Sequence, residues 1–319
     1  MINWLFLRGD WDCRTGKSIS DYDDMWIQLF EEIIGNNPAT IFFRSNKERY
    51  ILKNNYTIIS GYHTKLYKRL NSYSHVFSRG GFEWQADVLR RVSSAYTIRY
   101  GAGKRFMPEA DINYNLVLVD SEEQQTKVKM IFPKSNPKLF IKPAAKHFVP
   151  IPCKKEYDVC YIAKSEQSEF KGVDWVYRTA PSDLKILHLG GVEEFGQPSN
   201  ITAKRVDRID MPKWISKCKI GIVPYFNKID SCPRVISEMI ACGLPIVVSN
   251  ELVYWGEKYK LTKSDKTGFW SMVKDCNGDI YDSESILDGT WTTFISNYYN
   301  KNLSIPVAAN HIRNLIEGQ

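Results

Sequence analysis

The sequence lacks any apolar run close to the roughly 20 residues that a helix needs to cross a bilayer, so no transmembrane segment is expected. Its seven cysteines are scattered, odd in number and never spaced as Cys-x-x-Cys, which argues against a metal site or a disulfide framework. We therefore expect a reducing compartment, the cytoplasm. The apolar start, residues 1–7, lacks a basic region and a small-residue cleavage site, and predicts a first strand rather than a signal peptide.

The composition is otherwise that of an ordinary globular protein with a moderate positive charge. The chain has 319 residues, 43% of them hydrophobic and 25% charged, so two α/β domains with separate cores are expected. Its 43 lysines and arginines outnumber the 36 acidic residues, which gives a net charge of +7. This surplus suits an anionic substrate or surface, although many soluble proteins share it.

Residues 219–250 show the clearest local pattern, an apolar strand followed by a polar loop, a helix and a second apolar strand. Pro233 fits the first helical turn, where its missing N–H removes no hydrogen bond. Gly243 and Pro245 end the helix before the second strand. Strand, helix and strand at this length predict a βαβ unit with parallel strands. A helix that begins beyond the carboxyl end of a strand offers an anion site suited to a diphosphate.

Two acidic residues in this segment, Asp230 and Glu238, are separated by seven others, and Glu238 opens the run EMIACGLPIVV. The pattern resembles the GT-B glycosyltransferases of the retaining family-4 type, whose mark is E-x7-E closed by EAMACGLPVV. The resemblance implies that Glu238 binds the ribose hydroxyls of a nucleotide and that Asp230 faces the donor sugar. The helix-start residues implied to receive the phosphates are Pro233, Arg234, Val235 and Ile236.

Two features of this match leave alternatives open. Aspartate in place of the first glutamate shortens the reach of Asp230 by one methylene group. Arg234 lies four residues before Glu238, which is also the spacing of a simple ion pair on a solvated helix face. The match of the whole run favours the nucleotide-binding role for Glu238.

A second segment, residues 164–174, resembles the family's GRLxxxKGVD stretch, in which an arginine and a lysine hold the donor diphosphate. Lys164 stands at the arginine position and Lys171 at the lysine position. A lysine supplies the charge but not the bidentate fork of an arginine, and the loop here is slightly longer than usual. The alternative for each residue is a solvated surface lysine.

The rest of the chain predicts strands alternating with helices, which is typical of parallel sheets that bind ligands beyond their carboxyl ends. Together with the resemblance, this alternation predicts the GT-B fold class, α/β with two Rossmann-like domains facing across a cleft. The proline-rich segment 148–152 marks the boundary between an acceptor-side domain, residues 1–152, and a nucleotide-sugar-binding domain, residues 153–319. The terminal helices, within residues 291–319, are expected to cross back to the first domain.

Glycines and basic residues follow the predicted strands of the first domain. In GT-B enzymes the loop after the first strand faces the cleft, so the resemblance implies that Gly9 and Asp10 approach the donor diphosphate. A plain Gly-Asp turn is the alternative. Many family-4 enzymes carry histidines at later strand ends, and this chain does not. The residues assigned to an anionic acceptor, with solvated basic loops as the alternative, are Arg79, Gly80, Lys104 and Arg105.

Two short patterns point to other chemistry. Gly9 and Gly16-Lys17-Ser18 resemble a P-loop, but six residues separate the glycines where four are required, which argues against a kinase or nucleoside triphosphatase. Asp21-Tyr22-Asp23 fits a D-x-D metal motif, yet it sits at a predicted helix start, where aspartate is favoured as a cap. GT-B enzymes usually need no metal for donor binding, so we expect neither a metal nor another cofactor.

The sequence therefore predicts a hexosyl- or pentosyltransferase that uses a UDP- or GDP-sugar with retention of configuration. Lys171, Lys164 and Asp230 are the predicted catalytic residues. The predicted acceptor is a glycan or lipid-linked saccharide, with peripheral membrane contact as a further expectation, although the sequence shows no amphipathic basic helix for docking. Hydroxymethylated bases of phage DNA are the alternative acceptor. A non-catalytic sugar-nucleotide-binding protein is a further alternative, against which the retained acids argue.

Overall fold

The computed structural model describes residues 2–10, 25–80, 82–92, 94–101, 108–109, 111–164, 171–191, 197–226, 233–252, 262–279 and 290–318. The chain divides into two units, one formed by Met1–Ile141 with Ala308–Gln319 and the other by Lys142–Val307. Each unit is built on its own sheet of mainly parallel strands.

The first unit contains an eight-stranded sheet in the order β3-β4-β2-β1-β5-β6-β7-β8. Its strands are β1 (Trp4–Asp10), β2 (Ala39–Arg44), β3 (Arg49–Leu52), β4 (Tyr56–Gly61), β5 (His75–Arg79), β6 (Tyr96–Gly101), β7 (Leu116–Val119) and β8 (Pro137–Leu139). Its helices are α1 (Met25–Ile34), α2 (Glu83–Arg90), α3 (Glu122–Ile131) and a 3-10 helix (His63–Ser72). Every neighbouring pair is parallel except β3 and β4. The sequence does not predict β3, because this edge strand is mostly exposed.

In this sheet, β1 is a central strand, and later strands are added on both sides of it. The chain passes from β1 to β2 and β4 on one side, and it then returns to place β5 on the other side. The carboxyl ends of β1 and β5 therefore form a topological switch point, where open parallel sheets bind their ligands.

The core of the first unit includes one face of α1, whose apolar residues recur at helical spacing. The apolar residues Met25, Trp26, Leu29, Phe30 and Ile33 are all buried. Phe30 stacks on the β1 side chain Phe6 at 4.7 Å between ring centroids. Aromatic packing of this kind adds to the hydrophobic stabilisation of the helix on the sheet.

The second unit contains a six-stranded, fully parallel sheet in the order β11-β10-β9-β12-β13-β14. Its strands are β9 (Tyr157–Ile162), β10 (Ile186–Leu189), β11 (Ile201–Lys204), β12 (Cys218–Val223), β13 (Ile246–Ser249) and β14 (Thr262–Ser264). The helices that follow are α4 (Val173–Thr179), a 3-10 helix (Arg208–Asp210), α5 (Met211–Ile215), α6 (Arg234–Ala241), α7 (Phe269–Asp279), α8 (Thr290–Asn302) and α9 (Ile305–Glu317). Since β9 leads to β10 and β11 on one side and β12 lies on the other, the switch point is at β9 and β12.

The predicted βαβ unit is present as β12, α6 and β13, with the two strands parallel and adjacent. Gly243 follows the helix end, as the sequence indicates, whereas Pro233 is the cap residue, one position before the first turn in which the sequence places it. None of the described helices combines the length and the apolar character that crossing a bilayer requires.

The division between the units falls at Lys142, before the proline-rich segment that ends at Pro152. The intervening residues belong to the second unit because side chains of that unit bind their backbone. Ser237 Oγ donates to the Lys142 carbonyl at 2.6 Å, and the Ala144 amide donates to Tyr299 Oη at 2.9 Å. Proline content predicts an extended chain, whereas these contacts decide the unit to which the chain belongs.

The last residues of the chain belong to the first unit. Ala309 and Ile312 are fully buried, and Arg313 Nη1 donates to the Glu32 carbonyl at the end of α1, at 2.8 Å. The helix α9 therefore begins in the second unit and continues in the first.

Candidate functional site

The switch point of the second sheet brings together the elements predicted to bind phosphate. Lys164 follows β9 at its carboxyl end, and Lys171 precedes α4. Pro233 starts α6, which follows β12. Because the strands are parallel, the carboxyl ends of β9 and β12 lie at one edge of the sheet.

Lys171 is held at this edge through both its backbone and its side chain. Tyr161 Oη, from β9, donates to the Lys171 carbonyl at 2.7 Å. The Lys171 ammonium lies 4.3 Å from the ring centroid of Tyr225, a buried residue that follows β12. A cation over an aromatic face is attracted by the ring quadrupole. These contacts place the charge of Lys171 beside the carboxyl end of β12.

The backbone directly after Lys171 requires a glycine, Gly172. Its φ is +76°, in the left-handed region, and an added Cβ would lie 2.6 Å from the Pro224 carbonyl oxygen. Any side chain there would force the backbone of one segment away from the other. The close packing of this segment against the end of β12 therefore requires glycine at position 172.

Lys164 is exposed and extends from the end of β9. The preceding residue, Ala163, accepts a hydrogen bond from Nε2 of the buried His188 at 3.0 Å. Burial lowers the pKa of His188 to about 4, so the ring is neutral at physiological pH. Its Nδ1 then accepts from Tyr177 Oη at 2.8 Å. His188 was not predicted as part of the site, and it anchors the strand end from which Lys164 projects.

The start of α6 is the next element at this edge. Pro233 is the cap residue, and the Ile236 amide donates to its carbonyl at 3.1 Å. Among the described residues, no side chain caps this helix end. The positive end of the helix, at Arg234 and Val235, therefore follows β12 at the same sheet edge as the two lysines.

Glu238 lies one turn further along α6 and is buried, with 1% of its side chain exposed. Arg234 Nε is 2.8 Å from Glu238 Oε1, so the ion pair of the alternative interpretation exists, but on a buried face. Arg208 Nη2 donates to the same oxygen. Burial alone raises the pKa of Glu238, and the two guanidinium groups outweigh it, so the pKa lies below its usual value. The carboxylate is therefore ionised at neutral pH.

Arg208 is a candidate site residue that no sequence motif predicts. It lies in the 3-10 helix after β11, and its guanidinium sits 5.2 Å from the ring centroid of Phe148. Its Nε is buried and has no hydrogen-bond partner among the described residues. The only sequence signal is a cluster of basic residues, KRVDR at 204–208, after a predicted strand.

In the first unit, the switch point collects four predicted residues, because Gly9 and Asp10 end β1 while Arg79 ends β5 and Gly80 follows it. The Arg79 guanidinium lies 5.4 Å from the centroid of a Trp26 ring. This sheet edge thus carries the predicted acceptor-side residues Arg79 and Gly80 next to Gly9 and Asp10, which are predicted to approach the diphosphate.

Gln85 ties these two strand ends together. Its Nε2 donates to the carbonyls of Leu7 and Arg79, each at 3.0 Å. Its Oε1 accepts from Nη1 of the fully buried Arg99 at 3.2 Å, which fixes the orientation of the amide. No sequence motif marks Gln85 or Arg99 as part of a site.

Several predicted residues lie outside the described residues: Asp230, Lys104, Arg105, Gly16–Ser18 and Asp21–Asp24. Within the residues that are described, no group of three or more His, Cys, Asp or Glu is arranged to hold a metal ion.

The fold can be compared with those of known proteins. No protein-family model matches the sequence, and no curated protein matches it either. The structure shares the GT-B fold of nucleotide-sugar glycosyltransferases, with two Rossmann-like units. At sequence identities of 10–12%, this likeness establishes the fold.

Three solved structures illustrate the likeness. Trehalose-6-phosphate synthase OtsA has a TM-score of 0.67 and 10% identity, and the match covers 99% of both chains. T4 phage BGT, in complex with its substrate UDP-glucose, has a TM-score of 0.64 and 12% identity over 99% of this chain and 100% of that one. An α-glucosyltransferase in complex with UDP-glucose and DNA containing an abasic site has a TM-score of 0.67 and 10% identity, with the same coverage.

Proposed function

We propose that the protein is a glycosyltransferase that moves a sugar from a nucleotide-diphosphate sugar to an acceptor. The observation that carries this proposal is the placement of Lys164, Lys171 and the start of α6 at one edge of the second sheet. Two ammonium groups and a positive helix end match the charge of a diphosphate. The fold shared with UDP-glucose-binding transferases supports the same function.

In the proposed reaction, an acceptor hydroxyl forms a bond to the anomeric carbon while its proton passes to the leaving diphosphate, and the bond between that carbon and the diphosphate oxygen breaks. The leaving nucleoside diphosphate keeps the electron pair, and Lys171, Lys164 and the α6 amides stabilise the charge that develops there. Such preorganised electrostatic stabilisation is usually the largest catalytic contribution. We assign Asp230 to the sugar side of the donor, and Gly9 and Asp10 to the approach of the first unit to the diphosphate.

We assign Glu238 to the ribose hydroxyls of the donor. The two arginine contacts seen in the structure are both made to Oε1, so Oε2 is the oxygen proposed to accept from the ribose. Arg208 holds the carboxylate in place and is a positioning residue in this scheme. The lowered pKa of Glu238 keeps it an acceptor at neutral pH.

We propose a glycan or lipid-linked saccharide as the acceptor. The donor sugar is transferred to it with retention of configuration and without a metal ion. The first unit carries 21 lysines and arginines against 16 acidic residues, which suits an anionic acceptor. Arg79 and Gly80 stand at its switch point. Lys104 and Arg105 follow β6 in the sequence and complete the proposed acceptor side.

Modified DNA is the second candidate acceptor. The observation that favours it is the match to an α-glucosyltransferase solved with DNA, over nearly the whole of both chains. Lysine and arginine contacts to phosphates would supply sequence-independent affinity.

The two acceptors are separated by one experiment. The protein is incubated with labelled UDP- or GDP-sugars and with saccharides, lipid-linked saccharides or hydroxymethylated duplex DNA. We expect label in a saccharide pool, unchanged by a metal chelator, and a product whose anomeric configuration by NMR equals that of the donor. Label in DNA, with binding that falls steeply as salt rises, would establish the second candidate. Neither binding nor hydrolysis of any nucleotide sugar would contradict the proposed function itself.

A further inference from the structure

A basic and apolar corner lies at the end of α3. We call residues 127–138, KVKMIFPKSNPK, the α3 corner; it contains four lysines and no acidic residue. Met130 and Ile131 are 76% and 59% exposed, which is unusual for two large apolar side chains in sequence. Exposed apolar residues that cluster rather than scatter mark interaction surfaces.

A cavity of about 300 Å³ lies beside these two residues. The α3 corner lines it with Ile131, Phe132 and Pro133, and the segment before β7 adds Ile112 and Tyr114. Glu109 also lines the cavity, but its carboxylate already accepts from Arg99 Nη2 at 2.7 Å and from Tyr114 Oη at 2.5 Å. The Glu109 carboxylate is therefore engaged by Arg99 and Tyr114, which lie outside the α3 corner.

The α3 corner is separate from the proposed site of the first unit. The helix α3 follows the carboxyl end of β7 and leads to the start of β8, so it ends at the amino edge of the sheet. The switch point with Gly9 and Arg79 lies at the carboxyl edge. The α3 corner is therefore a second surface of this unit, at the edge of the sheet opposite to the switch point.

The charge and the exposed apolar residues of the α3 corner favour one kind of binding partner over the others. A second copy packed on the same patch would bring lysines against lysines, because a two-fold interface is self-complementary. Nucleic acid would match the lysines, but it would place Met130 and Ile131 against a charged backbone. A membrane with anionic lipids satisfies both features, since apolar side chains enter the headgroup region while lysines attract the lipid phosphates.

We propose that the α3 corner docks the protein peripherally on anionic membranes, with Met130 and Ile131 inserted and Lys129 and Lys134 beside lipid phosphates. Lys127 contributes less, since it is paired with Glu123 at 2.7 Å. Each engaged lysine strengthens such binding by about fivefold. This docking does not depend on the proposed function, because it involves neither donor nor acceptor.

The test is vesicle flotation with the full-length chain, without nucleotide sugar. We expect binding to phosphatidylcholine vesicles that contain phosphatidylglycerol, little binding to pure phosphatidylcholine, and release as salt rises. The double variant Lys129→Gln/Lys134→Gln should lose roughly 25-fold in affinity. The double variant Met130→Ser/Ile131→Ser should lose binding while keeping its thermal unfolding midpoint, because both side chains are exposed.

Matched controls come from the other end of the same sheet. Lys47→Gln/Lys68→Gln removes the same charge from exposed positions, and Leu52→Ser removes an exposed apolar side chain. Both controls should bind vesicles like the unmodified protein. Equal loss in the lysine control, equal binding to neutral vesicles, or no binding at all would overturn the proposal. So would duplex-DNA binding or self-association that the corner variants abolish while vesicle binding persists.

Discussion

Arg208 and Glu238 form an ion pair in which the carboxylate is buried, while 26% of the arginine side chain remains exposed. The pair joins the 3-10 helix after β11 to the middle of α6, and it is completed by Arg234 from the same helix turn. The carboxylate is therefore fixed before any ligand arrives. Its partners come from two elements. Only Arg234, four residues before Glu238 on α6, is indicated by a local sequence pattern.

We expect Arg208→Ala to destabilise the protein by roughly 2–3 kcal/mol, less than the loss of a fully buried pair because Arg234 remains. Since the pKa of Glu238 is lowered in the folded state, the stabilisation is complete above its ordinary value of 4.5 and is lost as the pH falls below it. The difference between wild type and variant in urea unfolding should therefore shrink on acidification. The exposed neighbour Arg205 provides the control, and Arg205→Ala should change stability little. A difference that grows at low pH would contradict the assigned pair.

Lys171→Ala should weaken the binding of UDP or GDP by roughly 1.5–3 kcal/mol, because a charge-assisted contact to the diphosphate is lost. Isothermal titration calorimetry measures this directly, with the exposed Lys213→Ala as the control in the same unit. Glu238→Gln should weaken binding of the nucleotide but not of inorganic diphosphate. Unchanged affinity in both Lys171→Ala and Glu238→Gln would refute the donor site.

Alanine substitutions at two glycines with positive φ separate the cost of backbone strain from the cost of a steric clash. A Cβ added at Gly35, where φ is +55°, would have nothing within 4 Å, whereas a Cβ at Gly172 would meet the Pro224 carbonyl. We expect Gly35→Ala to cost about 1 kcal/mol, from the left-handed conformation alone. Gly172→Ala should cost clearly more and should also reduce nucleotide affinity, since Lys171 is displaced. Equal costs, with intact binding, would show that this close approach does not position Lys171.

His188 should make the second unit sensitive to mild acid. Its pKa is about 4 in the folded protein because of burial, against about 6.5 in the unfolded chain. The unfolded state therefore takes up a proton first, and stability should fall by about 3 kcal/mol as the pH drops from 6.5 to 4. In His188→Gln this part of the pH dependence should be absent, as followed by denaturant unfolding at several pH values. The same slope in both proteins would assign the effect to other groups.

The sequence predicts most of this fold where the determining signals are local. The β12-α6-β13 unit is predictable because apolar runs, Pro233 and Gly243 all fall within one short segment. The role of Lys171, by contrast, is indicated only by the resemblance of residues 164–174 to the family's GRLxxxKGVD stretch, and it stays a prediction. The edge strand β3 escapes prediction because a mostly exposed strand has no apolar run to mark it.

The parts of the candidate site that the sequence does not reveal depend on distant partners. Gln85 binds the Leu7 carbonyl 78 residues away, and Arg208 binds Glu238 across 30 residues. Polar side chains of this kind look like ordinary surface residues until the fold buries them. The position of the unit boundary also depends on such contacts, as Ser237 and Tyr299 show for the segment after Lys142.

The assignment of Ala308–Gln319 to the first unit has a consequence for biosynthesis. Domains generally fold in the order in which they leave the ribosome, from the amino terminus onward. Here the first unit waits for residues 308–319, since Ala309 and Ile312 are buried in it and Arg313 binds the end of α1. The second unit, Lys142–Val307, is already complete by then. The unit that begins synthesis first is thus the one that finishes folding last, and a nascent chain stalled before Ala308 would expose the apolar surface that this segment covers.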